Sequence, residues 1–327
     1  MPKSKLSEKE VKKYNLLFNQ LRQEISKIIV GQDEVIEGLF RALLCKGHVL
    51  VEGVPGIAKT LLIRALAKTS GCTFSRIQFT VDLLPTDIVG ITTYDPKKGF
   101  TTQKGPIFSN FVLADEINRS SPKTQSALLE AMQERQVTLA KKTYPLDSPF
   151  FVMATMNPIE SEGVYPLPEA QIDRFLFKLH MGYPSSKEEQ QILNQNISLK
   201  DFSEFDLKSV LTPSLINHLQ QITKEIYLSK ELEDYIVRVV TTTRNSQKLK
   251  SGKYIQYGAS PRASISIFIA AKADALLNGK SYVTPQNIKN VAKSVLRHRI
   301  LLSYEGQAEG ITTDKIIDEI LSKIPIP

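Results

Sequence analysis

Short, nearly unbroken apolar runs alternate with amphipathic stretches along the first two-thirds of the chain. The runs at residues 48–52, 73–79, 111–115, 150–155 and 175–180 are rich in Val, Ile, Leu and Phe. Runs apolar at consecutive positions predict strands buried on both faces, as in a parallel sheet. Between them the apolar positions return at helical spacing. Residues 60–70 put Leu61, Leu62, Ala65 and Leu66 on one face and stop at Gly71. Residues 122–135 open with Ser121 as N-cap and Pro122 at the first helical position. Alternation of this kind predicts a three-layer α/β domain with a five-stranded parallel sheet over residues 30–183.

After about Tyr183 the strand pattern fades. Ser186 with Glu189 reads as a capping box, and Thr212-Pro213, Ser260-Pro261 and Thr284-Pro285 as N-caps followed by proline. Gly279 ends the helix that Pro261 begins. Residues 184–327 therefore read as a smaller, all-α second domain. Residues 1–29 read as an N-terminal helical segment, closed at Val30-Gly31. There is no internal repeat and no low-complexity segment.

A chain of 327 residues has room for two domains. Its 42% apolar and 23% charged residues are ordinary for a globular protein. No run approaches ~18 consecutive apolar residues, so no membrane-spanning helix is expected. The opening Met1-Pro2-Lys3-Ser4-Lys5 leads into a charged stretch without the apolar core of a signal peptide. Cys45 and Cys72 are too few for a disulfide framework, and His48, His180, His218 and His298 show no metal-ligand spacing. These features suggest the reducing cytoplasm. The net charge is +8, and residues 238–300 alone hold twelve basic side chains and one acid, Asp274. That block reads either as a surface for nucleic acid or an acidic partner, or as solvated lysine-rich helix faces.

The strongest chemical signal is Gly53-Val54-Pro55-Gly56-Ile57-Ala58-Lys59-Thr60, between an expected strand and an expected helix. Glycines let backbone N–H groups turn toward phosphate oxygens, and the helix adds its positive end. Lys59 would reach the β- and γ-phosphates, and Thr60 would offer a hydroxyl to Mg²⁺. Ala58 stands where glycine is usual, which requires a negative φ if the methyl group is to be tolerated.

Residues 111–116 form an apolar run ending in Asp115-Glu116, delivering two carboxylates to a strand's C-terminal end, where open α/β sheets bind ligands. Asp115 suits Mg²⁺, and Glu116 suits the base for an attacking water. The next run leads to Asn157, placed either to hold that water or to make an Asx-turn before Pro158. Arg174, just before a strand, and Arg262, at the second position of a capped helix, are cations able to stabilise γ-phosphate charge. Either would equally serve in a surface Arg–Asp pair.

Together these residues resemble the AAA+ ATPases, and specifically the MoxR family, from about Val30 to the C-terminus. The resemblance rests on the loop above and on Arg76-Ile77-Gln78-Phe79-Thr80 with Asp82-Leu83-Leu84-Pro85-Thr86-Asp87. It continues through residues 113–119, 130–134, 154–158, 167–175 and 258–263. Ala58 is usual in that family, whereas Val81 replaces an expected proline. The resemblance implies ATP and Mg²⁺ as ligands. Ile29, Val30 and Gly31 then match the segment that packs on adenine, and Leu61 follows the phosphate loop. Asp115 and Glu116 match the Walker B motif, Asn157 sensor 1, Arg174 the arginine finger and Arg262 sensor 2. Residues 82–100 match the helix-2 insertion and residues 136–146 the hairpin before sensor 1, both otherwise readable as connecting loops.

The family further implies a homo-oligomeric ring, usually a hexamer, and chaperone-like remodelling of a client beside a partner with a von Willebrand factor A domain. On this reading the lid carries Arg262 over the nucleotide, and bound nucleotide becomes domain rotation. A nucleic-acid motor and a magnesium-chelatase-like motor subunit are the nearest alternatives. No helix-turn-helix, zinc finger or OB-fold signature accompanies the basic block. A nucleotide-gated binding module is a third.

Overall fold

The computed structural model describes residues 6–97, 99–140, 142–158, 163–195 and 200–327. The opening Met1–Lys5 stretch, and single positions 98 and 141 in the two insertions, lie outside it. Two helices come first, α1 (Glu8–Ser26) and α2 (Asp33–Leu44). Ser7 and Glu10 form the capping box that starts α1. The helix ends earlier than its expected closure at Val30-Gly31. Gly31 and Gln32 both take positive φ, which breaks the helical path and starts a second helix.

The core follows: β1 (Val49–Gly53), α3 (Lys59–Thr69), β2 (Phe74–Gln78), α4 (Pro85–Val89), and a hairpin of β3 (Gly90–Asp95) and β4 (Gly99–Lys104). Then come β5 (Phe111–Asp115), α5 (Pro122–Glu134), a second hairpin of β6 (Gln136–Leu139) and β7 (Lys142–Pro145), β8 (Phe151–Met156), α6 (Glu169–Ile172) and β9 (Phe177–Met181). The insertion expected at 82–100 is a short helix plus a hairpin that continues to Lys104. Its second strand holds two threonines and one apolar side chain, the exposed Phe100, and so shows no apolar run.

Five strands pair in parallel in the order β2-β5-β8-β1-β9. Successive strand residues face opposite sides. Val49, Val51, Phe111, Leu113, Phe151 and Met153 enter one apolar cluster, whereas Leu50, Val112, Ala114, Val152 and Ala154 enter another with α5. Both faces are thus dry, which is why the strands read as continuous apolar runs. Burial at ~25 cal/mol per Å² of apolar surface is the main term holding the three layers together.

Beyond β9 the chain forms α7 (Ser186–Asn194), α8 (Pro213–Glu225), α9 (Lys230–Arg244), α10 (Pro261–Leu277), α11 (Pro285–Leu296), α12 (Tyr304–Ala308) and α13 (Thr313–Lys323). The capping box of α7 is Ser185 with Glu188, one residue before the expected pair; it is Ser185 whose backbone is extended and whose hydroxyl accepts from Glu188 N–H. The lid is not wholly helical: β10 (Ile255–Tyr257) and β11 (Leu301–Leu302) form a two-stranded antiparallel ribbon. Among the described residues no helix is long and apolar enough to cross a membrane.

The lid shares one apolar cluster with α1, α2, α3 and a face of the sheet. A buried ion pair adds to it. Arg41 Nε on α2 donates to Asp274 Oδ1 on α10 at 2.7 Å, and Asp274 is fully buried. Asn278, Asn287 and Asn290 donate to its other oxygen, so the carboxylate is fully satisfied.

Candidate functional site

The strand order sets the site. Strand β8 lies between β1, which runs into the phosphate-type loop, and β5, which ends in the acid pair. Asn157 follows β8 directly, so it emerges between the loop and the acids. All three strands are parallel, so their C-terminal ends open into one cleft.

The loop leaves β1 at Gly53, where an added Cβ would sit 2.7 Å from Met181 O and from Ile57 Cδ1. Only glycine fits. Gly56 has φ +81°, and Ala58 has φ +65°, in the left-handed region. The expectation of a negative φ at Ala58 is therefore wrong. The loop accepts a cost of ~1–2 kcal/mol for a non-glycine residue there, because a left-handed residue beside right-handed ones turns successive N–H groups to one side. No side chain caps α3 at Ala58, so its first N–H groups remain directed into the cleft. Lys59 Nζ donates to Gly53 O at 2.6 Å, folding the ammonium across the loop.

The acids are held in a network. Thr155 Oγ1 donates to Asp115 Oδ1 at 2.7 Å and accepts from Glu116 N–H at 2.9 Å. Arg76 donates to Asp115 Oδ2 from Nη2 at 2.7 Å and from Nε at 3.1 Å. Gln78 Nε2 and Arg119 Nη1 donate to Glu116 Oε2 at 2.8 and 3.0 Å. Glu116 itself has φ +56°, a sparsely populated conformation of the kind found at functional sites. At the foot of the loop, hydrogen bonds from His180 and then the Lys178 charge hold the Glu52 carboxyl down at about 2.

A cleft of about 780 Å³ is lined by Ile29, Val30, Pro55, Gly56, Ile57, Ala58, Lys59, Thr60, Leu61, Asp115, Glu116 and Asn157. Gly31, Gly53 and Val54 adjoin it in the chain without lining it. Arg76, Arg64, Gln32, Tyr183, Pro184, Glu189 and Ile192 also line it and were not singled out from the sequence. A signal existed for two further network members. Arg76 and Gln78 alternate as polar residues in an otherwise apolar run, and their register beside Leu113 and Asp115 turns them to the acids.

Arg174 and Arg262 are elsewhere. Both line a second cleft of about 350 Å³, with Lys46, Arg135 and Arg299 as further cations and Asp173 as its one acidic lining residue. Arg174 is exposed, and its Nη1 donates to Leu129 O at 3.2 Å. Arg262 Nη1 lies 4.0 Å from Asp173 Oδ2. Expected above the phosphate loop, Arg262 is grouped instead with the finger candidate.

A glycine loop between strand and helix, an acid pair one strand away, a polar residue between them and a helical lid define an AAA-type ATPase. A model of the ATPase family associated with various cellular activities matches residues 48–177, and a model of the AAA lid domain matches residues 247–320. The chain is 48% identical over 308 residues to chaperone MoxR1 of Mycobacterium tuberculosis, covering 93% of this chain and 81% of that one. It is 29% identical to protein MoxR of Paracoccus denitrificans, covering 95% and 96%. A crystal structure described as a candidate ATPase from Cytophaga hutchinsonii superposes with a TM-score of 0.91 at 45% identity, covering 98% of each chain. The chain belongs to the MoxR family of AAA ATPases.

Proposed function

We propose that this protein hydrolyses ATP to ADP and phosphate in a ring of identical subunits and uses the cycle to remodel or activate a partner protein. The observation that carries the proposal is the division of the site. The phosphate loop, Asp115, Glu116 and Asn157 share one cleft, while Arg174 and Arg262 line another. Each subunit then completes its neighbour's site, which closed rotational symmetry achieves for every copy. A hexamer is the expected ring. Residues 30–183 act as the nucleotide-binding core and residues 184–327 as the lid.

The residues fit their ligands. The first N–H groups of α3 and Lys59 would hold the phosphates, and Ile29 and Val30 would pack on the base. Thr60 and Asp115, a hydroxyl and a nearly buried carboxylate in the same cleft, would hold Mg²⁺. When bound, that ion would neutralise phosphate charge. Glu116, aimed by Gln78 and Arg119, takes a proton from the attacking water, and Asn157 orients that water. Arg174 of the neighbour stabilises charge spreading over the γ-phosphate oxygens, a contribution of ~10³–10⁵ in rate in related chemistry.

A protein client is favoured over nucleic acid. Much of the basic block is already engaged: Arg297 with Asp314, Arg299 with Asp173, Lys253 with Glu305 and Lys293 with Asp318. The first hairpin instead presents a paired Tyr94 and Phe100, 65% and 80% exposed, with ring centroids 5.2 Å apart. A von Willebrand factor A domain partner remains the family expectation. A cytoplasmic setting belongs to the same proposal, since Cys45 and Cys72 are free thiols that burial keeps protonated.

The test is Glu116→Gln. It keeps the site's shape and is expected to bind ATP with unchanged affinity while turnover falls at least ~10²-fold. Turnover near the wild-type level would remove Glu116 from the reaction and the mechanism with it.

A further inference from the structure

We infer that Arg297, His298 and Arg299 form a clasp that positions Arg174, so that the lid and the finger of one subunit reach the neighbouring nucleotide as one body. The inference rests on the reading of Arg174 as a residue acting on a neighbour's ATP.

These three residues follow α11 directly, and all three bond to residues 173–178, the stretch that holds Arg174 and the start of β9. Arg297 Nη1 donates to Lys178 O at 3.1 Å, and its other contacts tie it to Asp314. His298 Nε2 bonds to Phe175 O at 3.1 Å. Arg299 Nε donates to Asp173 Oδ1 at 2.6 Å, its Nη2 to Phe175 O at 2.8 Å and to Asp173 O at 3.2 Å. Its Nη1 reaches Leu176 O at 3.2 Å and Val295 O at 2.6 Å.

Residues 173–176 precede β9, and in this loop it is the lid that supplies donors to the carbonyls of Asp173, Phe175 and Leu176. The loop's path is therefore set by the lid and not by the sheet alone. Arg299 is 7% exposed, a burial tolerated because all of these acceptors surround one guanidinium. Asp173 is the hub. One oxygen receives Arg299, and the other accepts from Ser260 Oγ at 3.1 Å and lies near Arg262. The next residue in the chain is Arg174. Arg262 by proximity and Arg174 as the next residue in the chain are thereby registered against a single carboxylate, and Arg299 acts on the reaction only through them, as a positioning residue.

Subunit mixing separates this role from simple folding. Arg174→Ala subunits keep an intact ATP pocket but lack the finger, and Glu116→Gln subunits keep the finger but lack the base. Each alone is expected to be inactive, and mixed rings are expected to regain ATPase activity at junctions pairing the two. The clasp is then removed from the donor alone, as Glu116→Gln/Arg299→Met. Restored activity is expected to fall at least ~10-fold, since an ångström of misplacement can cost ~10². The donor's own affinity for a fluorescent ATP analogue should equal that of Glu116→Gln alone, because Arg299 does not line the ATP cleft. A donor that restores activity as fully as Glu116→Gln overturns the clasp. Should Arg299→Met fail to assemble, Asp173→Asn/Arg299→Met in the same background leaves no buried unpaired charge and is judged by the same comparison. If Arg174→Ala and Glu116→Gln do not complement at all, it is the shared-site reading that fails, and the clasp falls with it.

Discussion

Replacing Ala58 with glycine should stabilise the protein, against the usual effect of adding glycine near a helix. Ala58 sits at φ +65° and ψ +26°, ahead of the first residue of α3. A left-handed non-glycine residue costs ~1–2 kcal/mol. Glycine removes that cost but gives back ~0.5–1 kcal/mol through the greater freedom of the unfolded chain. The methyl group is exposed, so its loss forfeits no packing. The net gain is ~0.5–1 kcal/mol, a rise in melting temperature of ~1–3 °C for a chain of this size. Differential scanning fluorimetry and urea titration of the protein without nucleotide measure it. Ala58→Val should act oppositely, because a β-branched residue fits the left-handed region worst. An Ala58→Gly variant less stable than wild type would refute the assignment of the loop's backbone.

Three other measurements probe the surroundings. Arg41→Met strands the buried Asp274 carboxylate and should cost ~3–5 kcal/mol in denaturant unfolding, much of it recovered by adding Asp274→Asn; a loss below 1 kcal/mol would mean the pair does not tie the lid. Burial pushes the His48 imidazole down to about 4, while its ring bridges Met132 O and Val152 N–H. The unfolded chain takes up that proton near 6.5, so stability should be lost as pH falls from 6.5 through 4, and His48→Gln should flatten that slope. Arg76→Met frees the Asp115 carboxylate from a competing cation. The Mg²⁺ midpoint for binding a fluorescent ATP analogue should drop ~5-fold, the equivalent of ~1 kcal/mol for a half-exposed pair; an unchanged midpoint would show that Arg76 does not compete.

The core was legible because its central strands β1, β5 and β8 are buried on both faces and so read as nearly unbroken apolar runs. The phosphate loop and acid pair were legible because their chemistry is compressed into contiguous residues. What escaped has a common cause. Thr155 and Arg119 reach the acids through strand register and a tight turn, relations a linear pattern does not display. The ribbon β10–β11 escaped because its strands are three and two residues long, below any periodicity. The backbone sign at Ala58 escaped because residue preference points to glycine or a negative φ, and the loop's need to aim its N–H groups overrides that preference. The +11 block was readable either as a ligand surface or as solvated helix faces because the acidic partners of four of its cations, Asp173, Glu305, Asp314 and Asp318, come from outside the block.

The placement of the lid bears on how the cycle produces motion. A lid swinging over its own nucleotide would have to open the apolar cluster it shares with α1, α2, α3 and the sheet, and to break the Arg41–Asp274 pair. The first is a cost on the scale of the whole protein's stability, and the second adds ~3–5 kcal/mol. Arg262 also lines a different cleft from its own phosphate loop, so the lid as placed does not hold it against that loop. In the ring proposed above, the cheaper movement would leave each subunit intact and rotate it against its neighbour, with Arg174 and Arg262 advancing together into the adjoining cleft. Interfaces between subunits are smaller and more polar than a shared core, so they yield first. On that proposal the energy of ATP hydrolysis would be expressed between subunits, and the exposed hairpin at Tyr94 and Phe100 would move with the core to which it is joined. Intramolecular distances between lid and core, followed by paired spin labels on α8 and α3, should therefore stay within ~2 Å across nucleotide states, while distances between subunits change. A large change within one subunit would return the motion to the lid.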